Sequence, residues 1–276
     1  MSPGEDPSGP TPASLPPPVV PPEVYTEDYY RNWNAGFEEW SASEGAKVAG
    51  IYPGVLKLAR FRPGMVLVDV GTGRGEMLAV AVENGAARAV GIEYAQAAVE
   101  MARKTLEVHK SGERAEVLLA DARSIPFDSD AADLVTMVDV VEHLSRDELD
   151  TCLREVRRIL RPGGRVFIHT MPNRTIYDVT YKLLRRIVPG WSKRWPADPR
   201  LHDFEREMHV NEQSVSSMRG YLKRAGFRPS RAWLGNWFYT DFVPDERARK
   251  IYRLLAKFPP TRRLAMGDLF AEGTKG

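Results

Sequence analysis

From Met65 to Gly75 the chain reads Met65-Val66-Leu67-Val68-Asp69-Val70-Gly71-Thr72-Gly73-Arg74-Gly75. A strand-length apolar run thus ends in three glycines at alternate positions. A run of this length bounded by turn residues reads as a strand buried on both faces. Glycines directly after it let the backbone approach a ligand where any Cβ would clash. The pattern then repeats. Glu76 to Asn84 reads as a helix with Gly85 as its C′ residue. Ala89 to Glu93 reads as a second strand, Ala95 to His109 as a second helix, and Glu116 to Ala120 as a third strand ending at Asp121. Asp133 to Val138 reads as a fourth strand. Ser145-Arg146-Asp147-Glu148 matches a capping box, with Leu149, Leu153, Val156 and Leu160 on one helical face. Arg161-Pro162-Gly163-Gly164 stops that helix, and Arg165 to Thr170 reads as a fifth strand. Strands alternating with helices predict a mainly parallel sheet with right-handed crossovers.

The flanking sequence is of other kinds. Residues 1–22 hold nine of the 21 prolines, which predicts a disordered or polyproline-II tail. Tyr25, Tyr29, Tyr30, Trp33, Phe37 and Trp40 then crowd into sixteen residues at helical spacing. Such a segment either packs on the main body or forms a lid over a ligand. Residues 174–210, with Trp191 and Trp195, break the α/β rhythm and read as an insertion after the fifth strand. Asn211 to Ala225 reads as a helix closed by Gly226, Phe227 to Leu234 and Trp237 to Phe242 as the last two strands, and 244–258 as a basic helix. The end from Leu264 reads as frayed. The chain therefore divides into a Pro-rich tail (1–22), an aromatic helical cap (23–60), a doubly wound α/β domain with a seven-stranded sheet (61–243) and a basic helix and tail (244–276).

Spacing narrows the ligand of the glycine loop. A dinucleotide-binding loop carries its third small residue five places after the first glycine. Here that place is Glu76, and the third glycine comes one residue earlier, at Gly75. A carboxylate facing a pyrophosphate at a helix start would be repulsive, which predicts a ligand without phosphates and disfavours NAD. Glu93 ends the second strand 22 residues after Gly71, where a carboxylate can accept both hydroxyls of a ribose. Asp121 ends the third strand, and with the backbone of Ala122 it can read an adenine edge. Three acids at successive strand ends describe a nucleoside with a cationic or zwitterionic tail.

Taken together, Val68 to Gly75, Gly91-Ile92-Glu93, Leu119-Ala120-Asp121-Ala122, Ile125-Pro126-Phe127, Asp139-Val140-Val141-Glu142-His143-Leu144 and Leu160 to Gly164 resemble the class I S-adenosylmethionine-dependent methyltransferases. The resemblance covers residues 62–173, with weaker similarity to Phe227. Glu142-His143-Leu144, Thr170-Met171-Pro172-Asn173 and His209 to Ser214 look like the quinone-biosynthesis branch and like enzymes of surface-glycan and secondary-metabolite pathways. The resemblance implies a Rossmann-like fold and S-adenosylmethionine as cofactor. It implies that Asp69, Gly71, Thr72, Gly73 and Gly75 line the methionine part, Glu93 the ribose, and Asp121 with Ala122 the adenine. Val138 and Asp139 would border the sulfonium. Thr72 departs from the Cys or Ser of many relatives. Arg74 either approaches the methionine carboxylate or is solvated.

Methyl transfer from a sulfonium rests on proximity and orientation. A hydroxyl acceptor gains from a base, for which histidine is suited. Of five histidines, His143, His169 and His209 are the candidates; His109 reads as surface, and His202 lies in the insertion. No Asn/Asp-Pro-Pro-aromatic run follows the fourth strand, Cys152 stands alone in mid-helix, and no Asp-Asn pair follows the fifth strand. These absences argue against DNA amino-methylation, C5 base methylation and a catechol-type metal, so no metal is expected. With 39 Lys+Arg against 37 Asp+Glu, the charge is too balanced for a nucleic-acid coat. One cysteine excludes a disulfide framework. Neither a roughly 20-residue apolar run nor a signal-like N-terminus is present, so a cytoplasmic location is expected. The basic stretches 174–200 and 245–263 are either solvated or meet an anionic glycan, a lipid headgroup or a membrane surface.

The expected function is methyl transfer to a small-molecule or glycan-type acceptor at oxygen. The alternatives are a lipid or quinone acceptor methylated at C or O, and a non-catalytic S-adenosylmethionine-binding partner protein.

Overall fold

The computed structural model describes residues 15–34, 36–194, 197–198, 207–235, 246–258 and 261–276. Seven strands form one sheet: β1 (Val66–Val70), β2 (Arg88–Glu93), β3 (Ala115–Leu119), β4 (Ala132–Val138), β5 (Leu160–Thr170), β6 (Phe227–Gly235) and β7 (Asp268–Lys275). Their spatial order is β3-β2-β1-β4-β5-β7-β6. The first five run parallel, and β7 lies antiparallel to both β5 and β6. The order reverses between β1 and β4. Ligands of open α/β sheets bind at such a point, outside the carboxyl ends of the strands.

Helices cover the sheet, preceded by an N-terminal group. That group is α1 (Glu27–Trp33), α2 (Phe37–Ala42) and α3 (Ile51–Leu58). Then come α4 (Glu76–Glu83), α5 (Gln96–Val108) and α6 (Arg146–Ile159). A π-helical turn, Ile176–Tyr181, runs into α7 (Lys182–Ile187), followed by α8 (Trp191–Arg194), α9 (Val215–Arg224), α10 (Glu246–Lys257) and α11 (Arg262–Ala265). Local chemistry sets several ends. Ser145 and Glu148 form the expected capping box of α6, and Gly85, at φ +86°, follows α4. The helix expected from Asn211 starts instead at Val215, because Ser214 and Ser217 cap one another there.

One half of the core lies between the sheet, α6 and α9 (Val68, Val135, Leu149, Leu153, Val156, Met218, Leu222). The other lies against α3, α4 and α5 (Leu67, Met77, Leu78, Leu134, Phe167, Phe270). Burying each such aliphatic or aromatic side chain contributes about 1.5–3 kcal/mol.

Two terminal expectations are corrected. The segment from Leu264, read as frayed, contains β7, which completes the sheet between β5 and β6 with Leu269, Phe270 and Ala271 buried. Its Gly273 and charged ends mask the strand pattern, and its β5 partner lies about a hundred residues upstream. The expected strand at 237–242 lies outside the described residues, as do Trp195 and His202. The Pro-rich tail is not free over its last part. Val20 is buried beside Tyr25, Tyr94 Oη donates to the Val20 carbonyl at 3.1 Å, and Val19 N donates to Glu148 Oε1 at 2.9 Å. Residues 1–14 lie outside the described residues. The N-terminal aromatics pack as a cap: Tyr25, Tyr30, Phe37 and Trp40 join Ala95, Ala98, Met101 and Met208, and Trp40 Nε1 donates to Thr105 Oγ1 at 2.8 Å.

Candidate active site

The strand order places the acids in a row. Reading across β3, β2, β1 and β4, the carboxyl ends present Asp121, Glu93, the glycine loop and Asp139. Adjacent strands lie about 4.8 Å apart, so the row matches the length of an extended nucleoside with a polar tail.

The loop is built by backbone contacts to β2. Gly71 N and Thr72 N both donate to the Ile92 carbonyl, at 2.8 and 3.2 Å. Gly71 has φ +69°, and a Cβ there would come within 2.5 Å of Val140 Cγ2. Gly75 serves packing: at φ +75°, its Cβ would meet Ala102 Cβ at 2.9 Å, so this position lets α4 start against α5. Gly73 lies under the Tyr30 ring, and the cap therefore covers the loop. Thr72 is buried with its methyl against Gly91.

Glu93 ties the loop to its own strand end. Its carboxylate accepts from Gly73 N at 3.0 Å, Tyr94 N at 2.9 Å and Ala95 N at 3.0 Å. Burial raises its pKa, and these three donors oppose the rise. A carboxylate has about four acceptor sites, which leaves one for a sugar hydroxyl, not the two expected from the sequence. Asp121 is held by Arg123, through the backbone N at 2.7 Å and the guanidinium at 2.7–3.1 Å; Ala122 follows it. Asp69 sits inside the sheet rather than at the rim. Its Oδ1 accepts from Thr136 Oγ1 at 2.6 Å, and burial pushes it up to about 7 despite that bond.

Two readings of the loop change. Glu76 does not face the ligand: it is buried, pairs with Arg74 at 2.6 Å and accepts from Ala49 N at 2.7 Å. Its charge is answered by a cation, so repulsion of a pyrophosphate is not its effect. Arg74 is neither solvated nor turned to a methionine carboxylate. It is buried between Glu76 and Asn34, beside the Trp40 ring.

The far side of the switch point carries the titratable groups. Val138 ends β4, and Asp139 follows at φ +53°, a conformation that non-glycine residues adopt at a cost. Its N donates to the His169 carbonyl at 3.0 Å. His143 Nδ1 lies 3.1 Å from the Met208 carbonyl. A carbonyl only accepts, so Nδ1 carries the proton and Nε2 keeps its lone pair. Desolvation, followed by the neighbouring His209, pushes His143 down to about 3; desolvation pushes His209 down to about 4. Both rings are therefore neutral at neutral pH, with centroids 5.1 Å apart. His109 is bound instead to Glu83 and to the Gly45 carbonyl.

His169 is corrected as a candidate base. It is fully buried, with Nδ1 3.0 Å from Asp139 Oδ1 and Nε2 3.0 Å from Asp268 Oδ1. Burial works against its charge, but the two carboxylates outweigh it and push the ring up to about 10. An imidazolium has no lone pair to accept a proton.

Glu142 and Asp268 escaped the sequence reading as site residues. Glu142 is buried and accepts from Thr170 Oγ1 at 2.8 Å; burial and the Asp139 carboxylate push it up to about 8. The signal available was an acid directly after Val140-Val141, three residues beyond Asp139. Glu142, His143 and His209 each place one ligand atom within 4.8 Å of the others. A carboxylate and two imidazoles could hold a divalent cation, a grouping invisible in the sequence because His209 is 66 residues from His143.

Residues 68–168 match the family model described as a methyltransferase domain. The probable tRNA methyltransferase 9B of Mus musculus is 29% identical over 39% of this chain and 22% of its own length. The chain thus spans about a fifth of that relative. The demethylmenaquinone methyltransferase of Clavibacter sepedonicus is 28% identical over 58% of this chain and 64% of its own length. A solved structure of Haemonchus contortus phosphoethanolamine N-methyltransferase 2 in complex with S-adenosyl-L-methionine superimposes with a TM-score of 0.60 at 17% identity, covering 90% of this chain and 59% of that one.

Proposed function

We propose that this chain, which carries a class I S-adenosylmethionine-dependent methyltransferase domain, methylates a hydroxyl oxygen of a small-molecule or glycan-type acceptor. The cofactor is S-adenosylmethionine, and the cradle suits it. The Gly71 position has no room for a side chain, and Glu93 keeps one acceptor site at the next strand end. Glu93 and Asp121 would hold ribose and adenine, the loop the methionine part, and Asp139 would border the sulfonium. When bound, this cofactor supplies a methyl group already activated on sulfur, which passes to the acceptor oxygen and leaves a thioether.

The observation that carries the reading is the lone pair on His143 Nε2, fixed by the bond from Nδ1 to Met208. A neutral imidazole beside the carboxyl end of β4 can take the acceptor's hydroxyl proton as oxygen attacks. His209 stacks edge-on against it and holds the ring from the insertion side. His169 keeps Asp139 in place.

A second reading is supported by the demethylmenaquinone methyltransferase relative: a lipid or quinone acceptor methylated at carbon or oxygen. A quinol also loses a hydroxyl proton, so the same histidine would serve.

The test is product formation with radiolabelled donor on a panel of hydroxylated aromatics, glycans and demethylated quinols. His143→Ala should lower turnover about 10²–10⁴-fold while calorimetry shows unchanged S-adenosylhomocysteine affinity. Full activity in that variant would remove the base from the mechanism. Tight NAD binding with no response to S-adenosylhomocysteine would overturn the whole reading.

A further inference from the structure

Ten large apolar side chains are exposed among the described residues, and five of them lie on or directly after two short helical stretches. The first stretch is the π-helical turn with α7. Its buried face, Ile176, Tyr177, Thr180, Tyr181 and Leu184, packs inward. Its outer face shows Val179, Leu183 and Ile187, 46%, 47% and 61% exposed. Residues four apart lie on the same side of a helix, so Val179, Leu183 and Ile187 follow one another along this outer face. Exposed Lys182 and Arg186 run alongside that row.

The second stretch is α10. Leu254 and Phe258, 54% and 57% exposed, repeat the same spacing of four. Exposed Lys250, Arg253 and Lys257 border them. The inner faces of the two stretches meet: Ile251, Leu255 and Ala256 pack on the cluster of Ile176, Tyr177, Leu184 and Trp191. Over 174–188 and 246–258 the sequence carries nine Lys or Arg against two acids, Asp178 and Glu246. Asp178 pairs with Arg174, and Glu246 with Lys250.

Isolated exposed aliphatics are ordinary on protein surfaces, but rows of them bordered by cations are not. A core-facing helix would bury such a row, and a solvated one would not carry it. We infer that the outer faces of the π turn with α7 and of α10 form a docking surface for an anionic lipid membrane. The apolar rows would enter the headgroup boundary while the cations meet the lipid charge. The first stretch begins just after the carboxyl end of β5, so docking would bring the acceptor side of the sheet toward the lipid. This surface goes beyond the proposed reaction and does not depend on it.

The experiment is co-sedimentation of the full chain with large vesicles. One set is neutral phosphatidylcholine and the other about one-third phosphatidylglycerol, at low salt and at roughly 0.5 M salt. Binding should occur on the anionic vesicles, be weak on the neutral ones and fall with salt. A cation near an anionic surface contributes roughly fivefold to partitioning, so Lys182→Gln with Arg186→Gln should lower it about 25-fold. Leu183→Asp with Ile187→Asp should abolish it. S-adenosylhomocysteine affinity, read by calorimetry, should be unchanged in both and shows that each variant is folded. Wild-type partitioning in either folded variant would overturn the proposal. So would failure of the wild type to bind vesicles of either kind, which would make a protein the better partner for this face.

Discussion

Replacing Asp268 by asparagine isolates the buried charge that holds the reacting edge of the sheet. His169 and Asp268 are both fully buried and 3.0 Å apart, and the second carboxylate, Asp139, reaches the other ring nitrogen at the same distance. The rise of His169 from 6.5 to about 10 corresponds to roughly 5 kcal/mol of preference for the imidazolium. Burial opposes that rise, so each carboxylate contributes on average more than half of it, and removing one charge while keeping the shape should cost about 3–5 kcal/mol, as for other broken buried pairs. The folded pKa lies above the unfolded one. The stabilisation is therefore complete below about pH 6.5 and disappears as pH rises through about 10. Urea unfolding of wild type and Asp268→Asn should show the widest gap near pH 6 and a closing gap toward about pH 10. A gap under about 1 kcal/mol at the lower pH, or one independent of pH, would show that His169 is not a buried cation.

The other expectations are local. Glu93→Ala should weaken S-adenosylhomocysteine binding by about 1–3 kcal/mol in calorimetry, since it removes a charged acceptor and unties Gly73 N; unchanged affinity would place the ribose elsewhere. Deleting residues 1–22 should lower stability by about 1.5–3 kcal/mol, the value of burying one valine side chain, because Val20 is packed beneath Tyr25. An unchanged melting temperature would show that this contact is not maintained in solution.

The legible parts of this protein are those written within a few residues. The glycine loop announces itself because backbone at φ +69° with no room for a Cβ admits little but glycine. Ser145 and Glu148 are three apart, so their reciprocal bonds are a property of the segment. The first five strands follow from apolar runs with turn residues at their ends. Glu93 and Asp121 were legible as strand-end acids, yet nothing in the sequence showed that three backbone donors or Arg123 would claim them. In the sequence Glu76 reads as a charge facing the ligand, because Arg74, two residues away, shows no local reason to turn inward. The cap supplies that reason: Asn34 and the Trp40 ring close over the guanidinium.

What the sequence by itself determined is the α/β alternation, the glycine loop and the acids that end successive strands, since each depends on local backbone freedom and local burial. Only the tertiary structure decided that the chain returns at its far end to insert β7 between β5 and β6. That return brings Asp268 against His169 across 99 residues and turns a candidate base into a buried cation. The same holds for His209, which the insertion folds onto His143. Whether a histidine is neutral or charged depends on desolvation and on the nearest carboxylate, and neither is a property of its place in the chain.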